Sequence, residues 1–212
     1  MTLTLALPTG RIFEETSELL LSRGVKLPPS VRAGRRLRIE ADPFTLVLAK
    51  DRDVPTYVEH GVADAGIVGV DVLSESRPDV FEPLDLGIGA CRMVVARPAS
   101  RPAGFYRDLS VVRVATKYPV VTTRFFHGQG IPVEVIPLAG SVELAPLLGL
   151  ADCIVDLVQT GGTLAANGLE VDEVLFESTA RLIVNRASFR LKTAALRGLV
   201  RRLEGDPSPG KT

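Results

Sequence analysis

Asp156 stands four residues ahead of the run Thr160-Gly161-Gly162-Thr163. The segment before the run, Cys153 to Val158, is apolar apart from Asp156, and the alanine-rich segment after it ends at Asn167-Gly168. This order predicts a buried strand, a tight glycine turn and the first turn of a helix. At such a junction backbone N–H groups point outward without partners, the helix dipole favours negative charge, and glycine lets the chain come close to an anion. The two threonines add hydroxyl donors. Asp156, on the edge of the strand, is placed to accept hydrogen bonds from a neutral, hydroxyl-bearing part of the same ligand. A phosphate with neighbouring hydroxyls describes a sugar phosphate. The glycine turn alone can serve any strand-to-helix junction, so it is the acid upstream that points to a ligand.

A second glycine turn between a strand and a helix lies near the start, at Pro8-Thr9-Gly10, with Arg11 directed into the same region. It is a second candidate anion site. Arg32, Arg35, Arg36 and Arg38 read first as a solvated basic face, and as ligand contacts only beside a phosphate-rich molecule. His60 and His127 each precede a glycine at the end of a helical segment, which suits cations at helix C-termini. No Cys/His cluster exists to hold a transition metal.

The acid and Thr-Gly turn resemble the loop that binds phosphoribosyl diphosphate (PRPP) in the common phosphoribosyltransferases, where two adjacent acids precede the turn; here one of those positions is Val155. A fuller resemblance runs through Glu143, Gly149, Ala151, Ile154, Asp156-Leu157 and Thr160-Gly161-Gly162-Thr163-Leu164. Together they resemble the signature of ATP phosphoribosyltransferase, the enzyme that opens histidine biosynthesis. Leu5 to Arg11, Asp53 to Gly61, Ala63 to Gly69 and Ala115 to Pro119 are similar to further segments of that family, in its order and over nearly the whole chain.

The resemblance implies a pentosyl transfer in which N1 of the ATP adenine attacks C1 of the PRPP ribose and pyrophosphate leaves. It also implies site residues. Thr160, Gly161, Gly162, Thr163 and the Leu164 amide would hold the ribose phosphate, with Asp156 on the ribose hydroxyls and Glu143 as the second acid. Arg11 and Arg35, with Lys50 behind them, would be the catalytic cations on the pyrophosphate or ATP phosphates. Tyr118 would line the adenine pocket or serve as a structural tyrosine. Mg²⁺ is expected through the substrate diphosphate, without a protein metal site. Asp64 and Asp71 read as polar caps of a strand.

The elements that must position these groups alternate strand and helix throughout, which predicts an α/β protein with mostly parallel sheets covered on both faces. Strands are expected at Leu3 to Leu7, Phe44 to Ala49, Asp64 to Val70, Arg92 to Ala96, Val111 to Thr116, Val133 to Pro137 and Cys153 to Val158, with Arg35 to Ile39 as an edge strand. A long strand is expected over Glu173 to Asn185. Helices are expected over Arg11 to Arg23, from Asp53 as N-cap to Gly61, over Asp71 to Ser76 and Val120 to Gly128, from Ser141 as N-cap to Leu148, and over Ser188 to Leu203. The last of these would turn Leu191, Ala195, Leu199 and Leu203 inward.

The family resemblance implies two lobes of the periplasmic-binding-protein type (type II), with the active site in the cleft between them. Residues 1–90 with 178–212 would form lobe I, on the ATP side and carrying dimer contacts. Residues 91–177 would form lobe II with the PRPP loop, and 205–212 reads as a disordered tail. With nothing structured expected after Leu203, the chain resembles the short form of the family. That form implies a homodimer and a hetero-oligomer with a regulatory subunit resembling histidyl-tRNA synthetase.

The chain has 212 residues, 46% hydrophobic and 24% charged, with 25 basic residues balancing 25 acidic ones. That balance supplies no global field for nucleic acid or a membrane surface. No apolar run reaches membrane length, and Cys91 and Cys153, both in apolar runs, suit buried thiols in a reducing cytoplasm. Two other readings fit parts of the pattern: a two-lobed solute-binding protein without catalysis, and a nucleobase phosphoribosyltransferase.

Overall fold

The computed structural model describes residues 2–25, 27–28 and 37–205. In chain order, the first segment forms β1 (Leu3–Pro8), α1 (Phe13–Ser22), β2 (Arg38–Ala41), β3 (Phe44–Ala49), α2 (Val54–Glu59), β4 (Ala65–Gly69), α3 (Val70–Ser76) and β5 (Phe81–Asp85). Next come β6 (Cys91–Pro98), β7 (Val112–Thr116), α4 (Pro119–Gly128), β8 (Val133–Pro137), α5 (Leu144–Leu147), β9 (Cys153–Val158), α6 (Gly162–Ala166) and β10 (Leu169–Ser178). The chain closes with β11 (Ala180–Val184), α7 (Arg186–Leu191) and α8 (Thr193–Glu204). Two compact units result: Met1–Gly89 with Thr179–Thr212, and Ala90–Ser178.

Runs of consecutive apolar residues make the central strands of the first unit, because both faces of its sheet are covered. Leu5, Leu7, Leu46, Ile67 and Leu182 pack under Leu20 of α1 and Leu196, Leu199 and Leu203 of α8. Val68 and Ile183 pack with Val54 and Val58 of α2 and Val72 of α3. The strand order is β2-β3-β1-β4-β11-β5. β1 pairs in parallel with β3 and β4, whereas β2, β11 and β5 run antiparallel to their neighbours.

The second unit orders its strands β10-β6-β9-β7-β8. Here β7 is parallel to β8 and β9, and β6 and β10 are antiparallel additions. Both sheets are therefore mixed, with a parallel core, where alternation of strand and helix predicts mostly parallel ones. The departure has a chain-level cause. β2 joins β3 by a short turn, which makes the pair antiparallel, while β5 runs directly into β6 and β10 into β11 in the other sheet, so these strands enter their sheets without a helical crossover from a neighbouring strand.

The segment read as one strand from Glu173 to Asn185 is two, in different sheets. β10 pairs with β6 and β11 with β4 and β5, the change falling at Thr179. The helix expected over Ser188 to Leu203 is also two. Lys192 leaves helical geometry at φ −121° between α7 and α8, where its Nζ reaches Asp64 Oδ2 at 2.8 Å and the Thr193 hydroxyl donates to the Phe189 carbonyl at 2.7 Å. The break rotates the inward stripe to Leu196, Leu199 and Leu203 and leaves Leu191 78% exposed.

Asp53 takes the expected N-cap position of α2, at the end of a 3-10 turn, Asp51–Asp53, but with helical backbone and no capping bond from its side chain. Ser141 takes φ +47°, and α5 starts only at Leu144. Asp64 does act as a polar anchor. It accepts from the Thr4 amide at 2.9 Å, the Ser188 hydroxyl at 2.6 Å and Lys192.

Gly66 in β4 is required by a close approach: a Cβ there would lie 2.8 Å from Val54 Cγ1, 2.9 Å from Val58 Cγ2 and 3.3 Å from the Ala6 carbonyl. Gly66→Ala is expected to cost about 1–3 kcal/mol by overpacking. A shift of the urea midpoint at unchanged slope measures it; an unshifted midpoint contradicts the contact.

Candidate active site

Strand β9 lies between β6 and β7, and its register with β7 sets Thr116 beside Val155. The Thr116 hydroxyl donates to the Val155 carbonyl at 2.7 Å and accepts from the Tyr118 amide at 2.8 Å. That fully buried hydroxyl fixes the turn leaving β7, and the turn carries Lys117. The Lys117 Nζ lies 3.5 Å from Asp156 Oδ2.

Asp156 is only 8% exposed, and its Oδ1 accepts from the Leu157 amide at 2.9 Å. Burial pushes its carboxyl above the usual carboxylate range. The Leu157 amide and Lys117 oppose the rise, while the negative charge of Glu143 adds to it. Glu143 stands at the N-cap position of α5 with its backbone already helical. The structure therefore brings the two acids into one electrostatic neighbourhood, with Lys117 as the counter-charge.

Past β9 the chain turns through Gly161 at φ +82°, a left-handed conformation that glycine adopts without strain. α6 follows at once, and its first backbone bond runs from the Ala165 amide to the Gly161 carbonyl at 3.1 Å. The amides of Gly162, Thr163 and Leu164 accordingly make no hydrogen bond to the protein among the described residues. Thr160, Gly162 and Thr163 are exposed, while the Leu164 side chain is buried against Val94, Ala96 and Val158 and anchors the turn. A Cβ on Gly162 would meet only Thr160 Oγ1, at 3.8 Å. The space in front of these amides is open. Three amides and two hydroxyls can hold an anion of phosphate size, and the carboxylates of Asp156 and Glu143 can accept from hydroxyls carried by the same ligand.

Tyr118 is 7% exposed and packs in the core with Met93, Val95, Val121 and Phe126. That enclosed position is what a structural tyrosine would take. In the sequence Lys117 belongs to the family-like segment Ala115 to Pro119, with no site role of its own. Its signal was a cation one residue beyond a strand that pairs with the acid-bearing strand, and the pairing is not visible in the chain.

In the first unit, register Pro8 with Ala49 places Thr9-Gly10-Arg11 and Lys50 beyond the same ends of β1 and β3. The Thr9 amide donates to the Ala49 carbonyl at 2.8 Å. Arg11 is exposed and its Nη1 donates to the Gly89 carbonyl at 2.8 Å, while the Gly89 amide donates to Glu15 Oε2 at 2.7 Å. Arg11 thus has a structural bond in addition to its expected role. Lys50 is exposed. Arg35, with Arg32 and Arg36, lies outside the described residues, as do residues 206–212 of the expected tail. Cys91 and Cys153 are free and buried, and burial pushes the Cys153 thiol far up. Among the described residues no helix is long and apolar enough to cross a membrane.

Comparison with known proteins bears on this geometry. The family model described as HisG, ATP phosphoribosyltransferase, matches residues 50–205. A protein of Rubrobacter xylanophilus named ATP phosphoribosyltransferase is 49% identical over 213 residues, spanning 98% of this chain and 99% of its own. One of the same name from Deinococcus deserti is 51% identical over 201 residues, with 95% and 91% covered. Among solved structures, the ATP phosphoribosyl transferase (HisG:HisZ) complex from Thermotoga maritima superposes with a TM-score of 0.84 at 36% identity, covering 96% of this chain and 97% of that one. The periplasmic aliphatic sulphonate binding protein SsuA of Escherichia coli gives 0.62 at 14% identity, covering 95% and 71%, a likeness of fold alone.

Proposed function

The chain belongs to the ATP phosphoribosyltransferase family, and from that premise we propose how its residues perform the transfer. It is a phosphoribosyl-transferring enzyme acting at the first step of histidine biosynthesis. Neutral N1 of adenine already carries a lone pair, so no side chain has to activate it as a base. As the bond from C1 to pyrophosphate lengthens, positive charge grows on the ribose and negative charge on the leaving group. What the protein supplies is placement of two large anions and neutralisation of that leaving charge.

The observation that carries the reading is the set of unbonded amides of Gly162, Thr163 and Leu164 beyond the strand that bears Asp156. They receive the PRPP phosphate together with the Thr160 and Thr163 hydroxyls, and Asp156 and Glu143 take the ribose hydroxyls. Arg11, Arg35 and Lys50 are the cations for pyrophosphate and the ATP phosphates. Mg²⁺ supplies further neutralisation when it arrives on the substrate diphosphate, whose oxygens are its preferred donors. The reading extends to a homodimer, to a cytoplasmic location, and to assembly with a separate regulatory subunit, the last supported by the Thermotoga maritima HisG:HisZ complex.

Incubation with PRPP and ATP, in the presence of the regulatory partner, is expected to release pyrophosphate, and PRPP with free purines is not. Release with purines alone would favour a nucleobase transferase. No release under either condition would leave a two-lobed binding protein.

A further inference from the structure

Asp156 is the one acid on β9 within the candidate PRPP site, and it sits in surroundings hostile to a charge. Val94 is its register partner on β6, its residue surface is 8% exposed, and Glu143 brings a second negative charge from the start of α5. Its Oδ1 is already engaged by the Leu157 amide of its own strand. Oδ2 faces Lys117 Nζ at 3.5 Å. Lys117 is itself held in place, because the Thr116 hydroxyl immediately before it is locked between the Val155 carbonyl and the Tyr118 amide. A cation delivered by β7 therefore balances an acid delivered by β9, and the balance is built into strand pairing.

We propose that Lys117 is a positioning residue of the transfer reaction, holding Asp156 as a carboxylate whose Oδ2 is turned to the ribose hydroxyls of PRPP. The inference rests on the proposed PRPP site. Lys117 acts through Asp156, so its loss weakens PRPP binding according to how far Asp156 is protonated. The groups that set this are Lys117 just past β7, Glu143 at the start of α5 and the Leu157 amide of β9; β6 sets Val94 opposite Asp156 and carries Arg92, opposite Val158, two positions along.

The sign follows from burial. Without Lys117, desolvation and Glu143 act against the Leu157 amide alone, and Asp156 takes up its proton at higher pH than in the wild type. Protonated Asp156 is a poorer acceptor for the ribose hydroxyls, so the loss is largest in acid and fades in alkali.

The test compares PRPP dissociation constants of Lys117→Met, Lys117→Arg and wild type, measured calorimetrically from about pH 6 to pH 8.5. The ratio of Lys117→Met to wild type is expected to be several-fold at the acid end, where removing the Lys117 charge leaves Asp156 more protonated, and to shrink towards one at the alkaline end. Lys117→Arg is expected to follow the wild type. A ratio that stays constant with pH, or no loss at all, overturns the proposal, because it would mean a direct phosphate contact or mere packing. If Lys117→Met fails to fold, Lys117→Gln at the same position is read the same way. Asp156→Asn separates this failure from that of the underlying site: wild-type PRPP affinity in that variant would remove Asp156 from the site and the proposal with it.

Discussion

Gly162→Val is expected to weaken PRPP binding by roughly two orders of magnitude while leaving ATP affinity within about twofold. Gly162 is the first residue of α6, its amide is one of three in this turn without a protein partner among the described residues, and a Cβ on it would meet only Thr160 Oγ1, at 3.8 Å. A branched side chain fills that space and holds a phosphate away from the neighbouring amides. Each hydrogen bond to a charged group contributes about 1.5–3 kcal/mol, so losing one or two accounts for the size. Titration of the variant with each substrate separately checks it. Equal losses for the two would show that the amides serve something other than PRPP.

Asp64→Ala is expected to destabilise the first unit by about 2–4 kcal/mol, the range for removing one partner of a largely buried, hydrogen-bonded pair and leaving the rest unsatisfied. The change strands the Thr4 amide, the Ser188 hydroxyl and the Lys192 ammonium together. Burial opposes the charge on Asp64, but the bonds from Lys192, Ser188 and Thr4 outweigh it and hold the carboxyl below its ordinary range. A lowered folded value means that the stabilisation is complete above the unfolded value near about pH 4 and is lost as pH falls through the folded one. Denaturation midpoints of wild type and variant should thus differ equally at pH 7 and pH 5 and converge in stronger acid. A gap that persists at low pH would assign the effect to packing.

Much of this was legible in the chain because it is local. β3 and β8 fall on the segments read from composition, and the strand, glycine turn and helix of the phosphate cradle follow from residues 153–168 alone. The features that were not legible depend on residues distant in sequence. A continuous apolar stripe predicts a single C-terminal helix; the break falls where Lys192 reaches Asp64, a partner 128 residues earlier in the chain, and where the Thr193 hydroxyl bonds back to Phe189. Ser141 has the right chemistry for a cap, but its left-handed backbone and the later start of α5 deny it the role, while Asp53 holds its cap position without the side-chain bond. Lys117 meets Asp156 only because β7 and β9 are neighbours. The tyrosine beside it is a polar aromatic whose enclosure also depends on packing partners that chain order does not show.

β11 is an interior strand of the first unit, held between β4 and β5, yet it is made after every strand of the second unit. On the ribosome the second unit can finish while the first still has a gap in the middle of its sheet. The first unit therefore lacks the strand that joins β4 to β5 until the whole of the second unit has been made.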